Sequence, residues 1–185
     1  MIPSRARQAV LSLVLLAMVA ASLVAAPGPD GVLGALLGAL MLAIAASDFR
    51  RYIIPNELTG AAVALALFRA AAVGPDAGWE AVLWAAGRGL LIALPFLALM
   101  AGYRWWRGRD GLGLGDIKLA AVAGAWLGFV TVFAVIELAT LSALGAYFVS
   151  GYMRMRPPRP TALLPFGLFL APAIWIGWLV EAILS

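Results

Sequence analysis

The 185 residues are 64% hydrophobic and only 12% charged, with a mean hydropathy of +1.00, a balance that excludes a water-soluble domain and points to a polytopic membrane protein. Cysteine and histidine are absent, which excludes disulfides, thiol nucleophiles, haem ligation and the usual zinc sites. The net charge of +4 comes from arginines in short clusters between apolar runs, a signature of membrane topology rather than of nucleic-acid binding.

Arg5 and Arg7 precede the first predicted helix, residues 8–26, long enough to cross a bilayer core of about 30 Å. The alternative is a cleaved signal peptide ending in the small residues Val24-Ala25-Ala26. Pro27-Gly28-Pro29-Asp30-Gly31 reads as a turn, and residues 32–47 as a second helix in which Gly34 and Gly38 permit close packing. Asp48 ends that helix. Pro55 forbids a helix through residues 48–56, because its ring removes an N–H and restricts Ile54. Asn56 is then a natural N-cap for a third helix over 57–73.

An acidic loop, Gly74 to Glu80, leads to a fourth helix over 81–102 that carries Arg88 and a kink at Pro95. Tyr103-Arg104-Trp105-Trp106-Arg107 forms an aromatic and basic belt. Residues 117–153 are about twice what one crossing needs, so they divide into two helices with a turn near 124–129. The basic, proline-rich segment 154–160 is not helical. A last helix over 162–184 has Pro165-Phe166-Gly167 in its first turn and Pro172 inside.

The basic residues Arg5, Arg7, Arg50, Arg51, Arg104, Arg107, Arg109, Lys118, Arg154, Arg156 and Arg159 all fall at one set of helix ends. The opposite loops hold Asp30, Asp76 and Glu80 and no basic residue. The positive-inside rule places the first set, and the N-terminus, in the cytoplasm. The expected fold is therefore all-α: one membrane-embedded domain over residues 1–185, with seven transmembrane helices and no separate soluble domain.

Two acids stand at the cytoplasmic edge of this bundle. Asp48 closes the second helix, and Asp116 opens the fifth after Gly111, Gly113 and Gly115, which alternate with leucines. An ionised acid in an apolar segment is costly, so each must face the interior or water. Two carboxylates at one depth allow a shared-proton pair in which one acts as base toward water and the other as acid toward a carbonyl. A Ser47–Lys118 dyad is the weaker alternative, since no histidine activates the serine. The glycines offer close backbone approach to Asp116. Lys118 reads as an interfacial anchor able to tune the acids, and Glu137 as a buried acid paired with Arg88 or Arg69.

These residues resemble a known family. Gly113-Leu114-Gly115-Asp116-Ile117-Lys118-Leu119 resembles the Gly-x-Gly-Asp-x-Lys motif of type IV prepilin peptidases, Asp48 followed by Ile54-Pro55-Asn56 is similar to their first-aspartate segment, and Pro165-Phe166-Gly167 resembles their last-helix motif. Presenilin-like and signal-peptide-peptidase-like proteases share the Gly-x-Gly-Asp element, but there a tyrosine precedes the first aspartate, where this chain has Ser47.

The resemblance implies a bacterial inner-membrane aspartic endopeptidase that removes leader peptides from prepilin-like substrates on the cytoplasmic side, with Asp48 and Asp116 as the catalytic pair and no metal or cofactor. It implies that Gly113, Gly115, Lys118, Pro55, Asn56, Pro165, Phe166 and Gly167 shape the site. Larger members carry a cysteine-rich zinc segment and methylate the new amino terminus; this cysteine-free chain departs from that pattern and is more similar to the compact peptidases of Tad or Flp pilus systems. The other readings are a preflagellin peptidase, another Gly-x-Gly-Asp intramembrane peptidase, and a small transporter or channel component.

Overall fold

A chain this apolar must satisfy its backbone polar groups without help from water, and the α-helix does so within each segment. The computed structural model describes residues 4–108, 113–153 and 165–184; Gly111 and the segment 154–160 lie outside the described residues. Seven helices follow in order: α1 (Ser4–Ala25), α2 (Pro29–Arg51), α3 (Asn56–Ala72), α4 (Trp79–Arg107), α5 (Leu114–Trp126), α6 (Phe129–Met153) and α7 (Gly167–Leu184). The expected division of the long apolar span is present, with Leu127 and Gly128 between α5 and α6.

Five helices, α1, α2, α4, α6 and α7, are long and apolar enough to cross a membrane. The other two, α3 and α5, have 17 and 13 residues. At about 1.5 Å per residue α5 extends roughly 20 Å, less than a bilayer core. Its burial compensates: Ile117, Leu119, Ala120 and every residue from Val122 to Trp126 are buried, so α5 is wrapped by protein. It packs against α3, α4, α6 and α7, while α2 packs against α1, α3 and α7.

Several element boundaries differ from the expected ones. Asp48 does not end α2, which runs on to Arg51 before Tyr52 takes a left-handed conformation and donates its N–H to the Asp48 carbonyl. Arg50 and Arg51 in this last turn suit the negative end of the helix dipole, which favours the extra turn. Asn56 does not cap α3; Pro55 holds the cap position and Asn56 is the first helical residue. The belt after Gly102 continues α4, with Trp105 and Trp106 exposed and the Arg107 guanidinium 4.8 Å from the Trp106 ring centre. Pro165 and Phe166 precede α7 rather than forming its first turn; their carbonyls accept the N–H groups of Leu168, Phe169 and Leu170.

The bundle has an apolar core and, unlike a soluble bundle, an apolar outer surface as well. Long side chains such as Leu13, Leu16, Leu90, Leu91 and Leu99 face outward, where lipid makes their exposure harmless, and small residues draw the backbones together. A Cβ on Gly34 would lie 1.9 Å from the Trp178 ring, so α2 and α7 meet only because Gly34 is bare. Gly124 presses against the backbone of α4, with the Arg88 carbonyl 2.8 Å from its virtual Cβ.

Polar groups lace the end of the bundle away from Asp48. Arg69 forms a two-pronged ion pair with Asp30, at 2.5 and 3.1 Å, and lies 5.5 Å from the Trp126 ring centre. The Trp126 indole N–H donates to the Ala62 carbonyl, Arg88 Nε donates to the Gly124 carbonyl, and the Gly128 N–H donates to Glu181. The expected pairing of Glu137 with Arg69 or Arg88 is therefore not formed. Glu137 is exposed on α6, because the buried line of that helix runs through Val132, Val135, Ala139 and Ala143 and Glu137 lies off it.

Gly34→Ala is expected to lower the melting temperature of the detergent-solubilised protein, with an overpacking cost of about 1–3 kcal/mol. Gly60→Ala on α3, where an added Cβ meets nothing within 4 Å, is expected to leave that temperature unchanged or raise it, by up to about 1 kcal/mol of helix propensity.

Candidate active site

Asp48 is only 5% exposed, and an acid placed there needs donors. The free N–H groups of a helix start supply them. Asp48 Oδ2 accepts the Leu168 N–H at 3.0 Å, in the first turn of α7. Gly167 makes the approach feasible, since a Cβ there would sit 2.9 Å from Asp48 Oδ2 and 2.7 Å from Ile54 Cδ1. Gly167, the last residue of the Pro165-Phe166-Gly167 segment, thus meets the first acid directly.

Asp116 lies in the first turn of α5. Its N–H and that of Ile117 donate to the Gly113 carbonyl, and its side chain folds back, with Oδ2 3.2 Å from a virtual Cβ on Gly113. Asp116 is half-buried and lies within electrostatic reach of Asp48. The two acids reach this end of the bundle on helices that run in from opposite directions, α2 near its finish and α5 at its start.

The link between α2 and α3 fills the space near both. Ile54 is 9% exposed, and its side chain contacts the Gly115 position, with Ile54 Cβ 3.0 Å from a virtual Cβ there, as well as Gly167. The close approach that a bare Gly115 permits is therefore made by Ile54, and Gly115 itself lies inside α5. Ser47 Oγ donates to the Ile53 carbonyl at 2.9 Å, Thr59 Oγ1 donates to the Pro55 and Asn56 carbonyls, and Lys118 Nζ donates to Asn56 Oδ1.

Among the residues singled out from sequence, Asp48 and Gly167 meet across α2 and α7, Pro165 and Phe166 lead into α7, Gly113, Gly115 and Asp116 form the start of α5, and Lys118 joins α5 to Asn56, which follows Pro55 at the start of α3. The Ser47–Lys118 dyad is not formed, since each group is engaged elsewhere. Ile54 as a packing element and Ser47 as its tether escaped the sequence reading. The signal for both was a hydroxyl one turn before the helix end, followed by an apolar residue held extended by the next proline. Among the described residues no group of three or more acids could hold a metal ion.

Residues 35–149 match the model of the type IV leader peptidase family. The chain is 30% identical over 174 residues to a prepilin leader peptidase/N-methyltransferase of Aeromonas hydrophila, covering 87% of this chain and 53% of that protein. It is 34% identical over 165 residues to the protein of that name in Burkholderia pseudomallei, covering 82% and 48%. A leader peptidase HopD of Escherichia coli is 38% identical over 104 residues, covering 56% of this chain and 61% of the relative. The chain spans about half the length of the first two relatives. No solved structure matches it.

Gly167→Ala is expected to destabilise the protein by about 1–3 kcal/mol in thermal unfolding. Adding Ile54→Val, which removes the Cδ1 atom 2.7 Å from the new methyl, is expected to recover part of that loss.

Proposed function

The chain belongs to the type IV leader peptidase family, and from that premise we propose that it is an aspartic endopeptidase that cleaves the leader from prepilin-like precursors, with Asp48 and Asp116 as its catalytic pair. The observation that supports this reading is that the two acids stand at one end of the bundle: Asp48 buried against the start of α7, and Asp116 in the first turn of α5, where Ile54 packs both on Gly115 and on Gly167 beside Asp48. Two carboxylates brought close together favour retaining one proton between them. The ionised member takes a proton from water as that water attacks the scissile carbonyl. The protonated member donates to the carbonyl oxygen and, as the tetrahedral intermediate collapses, a proton reaches the leaving amine.

Nothing in this scheme requires a metal or cofactor. The basic residues flanking the acids support a cytoplasmic active site in the bacterial inner membrane, with the N-terminus inside. The leader then lies on the cytoplasmic side and the apolar part of the substrate in the bilayer, so lipid is part of the binding environment. Gly113, Gly115, Pro55, Asn56, Lys118, Pro165, Phe166 and Gly167 shape the walls around the pair. The lack of cysteine among these residues favours peptidase activity without methyl transfer, and Flp-type precursors of Tad systems are the proposed substrates, with preflagellins as the alternative.

The test is cleavage of a co-reconstituted Flp-type precursor. Asp48→Asn and Asp116→Asn are each expected to lower cleavage by at least about a hundredfold while inserting and melting like the parent. Processing at the parental rate by either variant overturns the pair. The mass of the product's new amino terminus reports on methyl transfer, and an unmethylated product is expected.

A further inference from the structure

The helices that carry the two acids, α2 and α5, are joined chiefly through others: both pack on α3 and α7. Among the described residues, the side chain of Ile54 packs against the positions beside both acids. Ile54 contacts Gly115, immediately before Asp116, and Gly167, whose virtual Cβ is also 2.9 Å from Asp48 Oδ2. Both neighbours are glycines, and any side chain at either would enter the volume that Ile54 fills. We propose that Ile54 is a positioning residue, a spacer that sets the separation of the Asp48 and Asp116 carboxylates; the proposal rests on the peptidase reading for its kinetic consequence and on packing alone for its geometric one.

The spacer is held on three sides. Ser47 fixes the carbonyl of the preceding residue, Ile53, to α2. Pro55 restricts Ile54 to extended backbone, and Lys118 grips Asn56 from α5, one turn beyond Gly115. The link between α2 and α3 is thus tied to each acid-bearing helix, and Ile54 projects between the ties. A β-branched side chain suits this position because it has few rotamers to choose among. Lys118 and Asn56 act on the acids through Ile54 rather than by contact with substrate.

Because the chain has no cysteine, a thiol pair reports the separation without interference. In an Asp48→Cys/Asp116→Cys protein, bifunctional maleimides of graded length are expected to cross-link best at one length, and adding Ile54→Ala is expected to move that optimum to shorter reagents as the helix ends relax together. On the parental acids, Ile54→Ala is expected to lower kcat by about tenfold or more with little change in KM, since small misplacements of reacting groups are costly. Ile54→Val, which keeps Cβ and loses Cδ1, is expected to shift both readouts less and in the same directions, and it serves where Ile54→Ala does not accumulate. An unchanged cross-linking optimum in the variants overturns the proposal, whether or not cleavage falls. Failure of the peptidase reading shows separately, as undiminished processing by Asp48→Asn or Asp116→Asn, and leaves the cross-linking result standing.

Discussion

The bond from the Leu168 N–H to Asp48 is the interaction on which the site end of the molecule depends. A carboxylate buried in an apolar bundle loses much of its hydration, and a protein donor offsets that cost. The start of α7 is well suited, since its first N–H groups have no helical partner and carry the positive end of the helix dipole. One contact answers two needs at once. It fixes where α7 begins relative to α2, and that placement in turn requires glycine at 167 and room for Ile54.

The opposite end answers the same need by different means. There Asp30 pairs with Arg69 and Glu181 accepts from Gly128, while Arg88 reaches the Gly124 carbonyl. These contacts join α2 to α3, α4 to α5, and α7 to the link before α6, and every acid in them has a donor. At the Asp48 end, among the described residues, Asp48 is held by a backbone donor and neither acid is paired with a basic side chain. Lys118 is taken up by Asn56.

Much of this was legible in the sequence because it rests on rare events. An acid inside an apolar run is costly, so Asp48 and Asp116 stood out at once, and Gly34 read correctly as a packing glycine. Helix order followed from apolar runs punctuated by proline and glycine. What stayed hidden involves common residues in three-dimensional roles. An isoleucine in so apolar a chain carries no signal, so Ile54 was passed over. Hydropathy reports depth but not the direction in which a helical residue faces, which is why Glu137 was wrongly placed inside the bundle. Asn56 looked like a cap because asparagine often is one, but its amide is occupied by a lysine far away in sequence.

The partnership between Asp48 and Leu168 also has a meaning in time. Asp48 lies in α2, and its donor lies 120 residues later in the chain, at the start of α7. Until α7 docks, α2 must hold an acid whose protein donor has not yet been made, and neither the Ile54 seat nor the approach of the two helix ends has its third wall. Assembly of this end therefore waits on α7, the later-made of the two helices that this bond joins.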